Sequence, residues 1–261
     1  MKSIPRPALL AVAVFGVILF TQLPASWCRW ALPAGVHCTQ LSGSVWSGRC
    51  DGLSVAAAGT PAQGGREGSN VGDAGWALHP LQLLRGRLAV DLDLTRAGAS
   101  ARGTVALGIG GRIEARDVEL RGVHLEQLPL SQLPRGLRGV LQARIAALSW
   151  AQHRVQSITG QAQVRDLAGA TDRFGDYLLE FPANGPASTP DAAPGPVGTF
   201  RDIGGPLRVT GQLRLTPEPG FEVQALVAAR PEASPGLTEQ IQYLGSPDGQ
   251  GMRPFSMAGT F

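Results

Sequence analysis

The stretch Leu88-Ala89-Val90-Asp91-Leu92-Asp93-Leu94 decides the fold class. Its large apolar residues stand two apart with small or acidic residues between them, and a period of two marks a strand with one apolar and one solvated face. A helix would repeat its apolar residues every three or four positions, so this stretch is not one. The same alternation returns at Val105, Leu107 and Ile109, at Leu141, Ala143 and Ile145, at Leu207, Val209, Leu213 and Leu215 across Gly211, and at Phe221, Val223, Ala225 and Val227. Turn signals fall between these runs at Gly110-Gly111, Arg121-Gly122 and Thr216-Pro217-Glu218-Pro219-Gly220. Together they predict a mainly β body whose strands follow one another antiparallel as a meander.

The chain's 35 glycines and 20 prolines in 261 residues argue further against a helical body. Glycines inside strand-like segments, at Gly43, Gly86, Gly139, Gly160 and Gly211, predict bulges or strong curvature, because glycine otherwise weakens a strand interior. The sheet is therefore expected to curl, taco-like and open or partly closed. Gly59 to Gly72 and Pro182 to Pro196 carry no apolar period and read as mobile loops. One short C-terminal helix is expected from Ser234-Pro235, a cap followed by a first-turn proline, with Leu237, Ile241 and Leu244 on one face and Gly245 as its stop.

Ahead of this body, Lys2 and Arg6 precede an uncharged apolar run from Pro7 to Phe20 that fades through Leu23, Pro24 and Trp27. At about 1.5 Å per residue, Pro7 to Trp27 just crosses a hydrocarbon core of about 30 Å, while Pro7 to Phe20 has signal-peptide length. The Leu23-Pro24-Ala25 junction lacks the small-x-small pattern of a cleavage site, so residues 1–27 are expected to remain as a cytoplasmic tip and transmembrane signal anchor. Lipoprotein processing at Cys28 is opposed by Trp27 just before it. The charges of Lys2 and Arg6 place the N-terminus in the cytoplasm and residues 28–261, as one β-rich domain, outside it.

Without Lys2 and Arg6, 21 of the 23 basic residues remain against 20 acidic ones, so the body is nearly neutral and no nucleic acid is expected as a partner. His37, His79, His124 and His153 stand singly, with no nucleophile elbow and no metal-ligand spacing, so no catalytic residue, metal or cofactor is assigned. His79 reads as structural, and Asp91 and Asp93 as the solvated face of their strand. Of the three cysteines, Cys38 and Cys50 flank the Gly43 region of an apparent hairpin and are the disulfide candidates; unpaired small thiols are the alternative.

Four stretches in order resemble the type II secretion system protein N family (general secretion pathway protein N): Leu41-Ser42-Gly43-Ser44-Val45-Trp46-Ser47-Gly48; Trp76-Ala77-Leu78-His79-Pro80-Leu81-Gln82-Leu83-Leu84-Arg85-Gly86-Arg87-Leu88; Gly204-Gly205-Pro206-Leu207 with Gly211-Gln212-Leu213-Arg214-Leu215; and Leu244-Gly245-Ser246-Pro247-Asp248 with Gly251. Within them Gly43, Trp46, Gly48, Trp76, Pro80, Leu84, Gly86, Gly205, Pro206, Gly211 and Gly245 are expected to serve packing and backbone geometry. The resemblance implies a non-enzymatic accessory subunit in the inner membrane of a Gram-negative bacterium. Its periplasmic body would contact the inner-membrane platform and the secretin during export of folded proteins. A more distant resemblance to AsmA-like proteins implies the alternative of a periplasmic groove that binds or transfers lipid.

Overall fold

The computed structural model describes residues 22–30, 35–56, 68–127, 136–183, 195–216 and 220–260. The chain divides into two compact units, Met1–Ala97 and Gly98–Phe261. The first holds β1 (Val36–Gly43), β2 (Ser47–Ala56), β3 (Gly68–Leu78) and β4 (Arg87–Arg96), with a four-residue helix, α1 (Pro80–Leu83), before β4. The second holds β5 (Ala99–Gly108), β6 (Ile113–His124), β7 (Arg138–Ala151), β8 (Arg154–Ala168), β9 (Arg173–Phe181), β10 (Val197–Gly204), β11 (Leu207–Thr216), β12 (Gly220–Ala229), α2 (Pro235–Gln242) and β13 (Arg253–Thr260). Within each unit every strand pairs antiparallel with its neighbours in sequence, the meander that the alternating runs predicted.

Register carries the period of two across the strands of the second unit. Leu120, Ala143, Ala162, Leu179, Phe200, Gly211, Ala225 and Phe255 stand side by side from β6 to β13. One residue away, on the opposite face, runs Arg102, Glu119, Arg144, Gln161, Glu180, Thr199, Gln212, Gln224 and Ser256. A one-residue slip anywhere would exchange the two rows, so burial of the apolar one fixes the pairing.

The buried cluster is local. Leu207 and Val209 of β11 and Ala225 and Val227 of β12 pack under Leu237 and Ile241 of α2, with Phe174, Tyr177, Phe200, Leu244 and Phe255 at its margin. The helix forms there because the Ser234 hydroxyl accepts from Leu237 N at 3.2 Å, Pro235 opens the first turn, and Gly245 takes φ +103° beyond its end. Elsewhere along the apolar row the side chains from Leu120 to Leu179 are half-buried. Among the described residues no large side chain is completely buried.

Several local expectations are corrected. Ile109 lies in the turn after β5, 87% exposed, and not in the strand. Arg121-Gly122 is not a turn: Gly122, at φ +63°, sits inside β6 where the register shifts. Gly86 stands in the turn before β4. Gly211 makes no bulge, since β11 pairs evenly on both sides; it leaves room for the Phe200 ring, whose Cζ would lie 2.7 Å from an added Cβ. Gly139 and Gly160 do sit beside register shifts. Residues 68–72 of the expected first loop belong to β3, while 57–67, like 184–194 of the second loop and 217–219, lie outside the described residues. So do residues 1–21, which carry most of the expected anchor; no helix among the described residues is long and apolar enough to cross a membrane.

Candidate functional site

The motif residues of the first unit converge on the β1–β2 turn. Gly43, at φ +90°, faces Gly48, and an added Cβ there would stand 2.6 Å from the Ser47 carbonyl oxygen. Gly48 in turn pairs with Trp76 of β3, whose ring occupies the space a Gly48 side chain would need. The Trp76 indole Nε1 donates to the Val45 carbonyl at 3.1 Å, and Leu78 N donates to the Trp46 carbonyl at 2.6 Å. The turn is therefore laced to β3 by both ends of one dipeptide, Val45-Trp46. Trp46 and Trp76 are half-buried.

The second motif continues into α1. His79 N donates to the Ala89 carbonyl at 2.9 Å, Pro80 opens the helix, Leu84 caps it, and Gly86 turns the chain into β4 at φ +69°. Leu81 and Leu84 project outward, 76% and 86% exposed. His79 Nε2 lies 2.8 Å from Asp91 Oδ2 on β4, while Asp93 is exposed on the same face. A disulfide joins Cys38 of β1 to Cys50 of β2, with Cα atoms 5.8 Å apart and Cys50 buried.

In the second unit, Gly205 at φ +114° lies back to back with Gly175 at φ +104°, so that a Cβ on Gly205 would strike the Gly175 backbone. The Gly205 carbonyl accepts from Arg230 Nη1 at 2.7 Å, and Arg230 N donates to the Pro206 carbonyl at 2.8 Å. Arg230 Nη2 also reaches Asp202 Oδ2 at 2.5 Å, while Asp202 Oδ1 accepts from Val209 N at 2.7 Å. Tyr177 donates to the Phe174 carbonyl at 2.7 Å; burial, helped by the Asp202 carboxylate, pushes its phenol up to about 12. At the helix cap the Ser234 hydroxyl donates to Asp172 Oδ1 at 2.5 Å, which with Thr171 holds the Asp172 carboxyl below its ordinary range. Gly245 accepts from Arg253 Nη1.

A further cluster, on the polar face, was not legible in the sequence. Glu119, 9% exposed, is surrounded by Arg144 at 2.9 Å, Arg121 at 2.5 Å and Arg102. Hydrogen bonds from Arg144 first, then Arg121 and Arg102, hold its carboxyl down at about 2. These residues come from β5, β6 and β7, and only the strand register brings them together. The groups named here fix backbone geometry or pair charges within a sheet. Among the described residues no group of three or more His, Cys, Asp or Glu is placed to hold a metal ion.

Residues 34–256 match the family described as Type II secretion system (T2SS), protein N. The chain is 26% identical to the type II secretion system protein N of Vibrio cholerae serotype O1 over 273 aligned positions, covering 99% of each chain. It is 25% identical to the protein of the same name from Aeromonas hydrophila, covering 97% of this chain and 96% of the relative. No solved structure matches. The chain belongs to the type II secretion system protein N family.

Proposed function

We propose that the chain is a non-enzymatic inner-membrane accessory subunit of the type II secretion machinery. Residues 1–27 anchor it as a single pass with the N-terminus in the cytoplasm, supported by Lys2 and Arg6 ahead of the apolar run. Its β body stands in the periplasm and touches the inner-membrane platform and the periplasmic part of the secretin. The observation that carries this reading is the distribution of burial. Among the described residues the buried cluster lies under α2, and the rest of the second unit's sheet offers broad half-exposed faces. Such faces offer area for contact with other subunits. The Cys38–Cys50 disulfide fits an oxidising compartment.

One observation favours a second reading. The apolar row from Leu120 through Ala143 and Ala162 to Leu179 has only half-buried side chains, and such a face can accept acyl chains, the lipid-binding alternative. Photocrosslinking from positions spread over the body in cells, followed by mass spectrometry for proteins and lipids, separates the two. Crosslinks to secretion subunits are expected. Crosslinks to lipid alone, concentrated on the apolar row, would replace the accessory-subunit reading by the lipid one.

A further inference from the structure

The last strand, β13, pairs with β12 and with no other strand among the described residues. The β12–β13 pairing runs from Gly220↔Thr260 to Val227↔Arg253 without a register shift. Pro254 has no N–H to give, and it stands opposite Leu226, so that pair is of the non-hydrogen-bonded kind. Alternation then directs the backbone groups of Phe255, Met257 and Gly259 toward β12, and those of Ser256, Ala258 and Thr260 away from it.

Gly245 lies against Pro254, an added Cβ meeting the proline Cγ at 3.7 Å, so the loop after α2 shields the start of the strand. Beyond it Ser256, Met257, Ala258 and Thr260 are exposed. Edge strands are normally guarded by charge, proline or a bulge. From Phe255 to Thr260 there is none of these.

We propose that the outer edge of β13, at Ser256, Ala258 and Thr260, receives an extended segment of another secretion-system subunit by strand addition. The inference rests on the reading of the chain as a contact subunit of that machinery. The incoming segment carries apolar residues at alternate positions, on the side of Phe255 and Met257, and uncharged small residues beside Ser256 and Ala258. A second copy of this chain fits less well: antiparallel about Met257, it sets Pro254 against Thr260 and forfeits a hydrogen bond at each end.

The test uses the full chain in cells that contain the secretion machinery, with a photocrosslinking amino acid at Thr260. Ala258→Pro removes one outward N–H and leaves the β12 ladder intact, whereas Ala258→Val keeps that donor. A crosslink to a secretion subunit is expected in the parent and in Ala258→Val. It should fall about tenfold in Ala258→Pro at unchanged melting temperature and cellular level. Ser256→Pro serves if Ala258→Pro folds poorly. An undiminished crosslink in a folded proline variant, or a crosslink only to a second copy of the chain, overturns the proposal. Crosslinks to secretion subunits from other positions but none from Thr260 overturn the edge alone and leave the contact-subunit reading standing. No secretion subunit captured from any position overturns that reading too.

Discussion

The ring of Trp76 on β3 fills the place where a side chain on Gly48 of β2 would have to stand. The two family-motif residues are thus one packing unit, and each accounts for the other. Gly48→Ala is expected to destabilise the protein by about 1–3 kcal/mol through overpacking. Trp76→Ala should cost roughly 2 kcal/mol, below the value for a fully buried tryptophan because the ring is half-exposed. In the Trp76→Ala background Gly48→Ala should cost less than in the parent, with a remainder left because the added Cβ also stands 2.8 Å from the Ser42 carbonyl oxygen. Denaturant melts of the four proteins in the double-mutant cycle check this; additive costs would refute the packing unit.

Glu119 links stability to pH. The folded carboxyl titrates near 2, below the ordinary glutamate value of about 4.3, so between those values the unfolded chain takes up a proton that the folded chain refuses. The contribution is complete above about pH 5 and fades as the pH falls through the range from about 4.5 to 2. Glu119→Gln should be less stable than the parent at neutral pH, with the gap closing on acidification. Melting temperatures of both proteins from pH 7 down to 2.5 test it; a constant gap would show that folding does not lower the Glu119 carboxyl.

The Cys38–Cys50 bridge joins two residues 12 positions apart in sequence. Loop-closure entropy gives such a bridge about 3 kcal/mol of stabilisation. Reduction, or the paired change Cys38→Ser and Cys50→Ser, should lower the melting temperature and expose β1 and β2 to proteolysis ahead of the second unit. Non-reducing peptide mapping of protein from cells should recover both cysteines in one linked fragment, and two free thiols would contradict the bridge.

Ser234→Ala removes the acceptor for Leu237 N and should cost about 1 kcal/mol as a lost helix cap. It also takes a donor from Asp172, whose carboxyl should then titrate higher than in the parent, since the Ser234 bond is the leading cause of its lowering. Ser234→Asp should restore the cap yet set two carboxylates side by side, so it recovers less stability than a cap alone would. Carboxyl titration by NMR and thermal melts read the two effects separately.

The parts of the fold that were legible in the sequence are those in which local chemistry and tertiary burial agree. Leu207 to Leu215 and Phe221 to Val227 alternate because their strands have an apolar and a polar face, and Ser234-Pro235 announces α2 at its cap and first turn. In Leu88 to Leu94, by contrast, the alternation marks a strand but not its buried side, since Leu88 and Leu92 are exposed and Ala89 is buried. β2 gives no such signal: Ser47–Ala56 is dominated by small and polar residues and is held by its neighbours, with Gly48 yielding space to Trp76. The Glu119 cluster was hidden for a different reason. Its arginines lie on separate strands, and their meeting depends on register, including the shift between Arg102 and Thr104, which no local pattern encodes. Gly211 makes room where a bulge is expected, because a missing side chain looks the same in sequence whether it frees the backbone or yields space to a ring such as that of Phe200.

Pairing of each strand with its sequence neighbours also sets an order of assembly. On the proposed route a polypeptide delivered from its N-terminus can lay each strand of a unit on its predecessor as that strand emerges, because each described strand of a unit pairs with its neighbours in sequence. Cys38 and Cys50 both belong to the first two strands, so the covalent clamp can close on the earliest piece to arrive. β13 is laid down after the other strands of its unit, so docking through its outer edge follows the assembly of that unit's sheet.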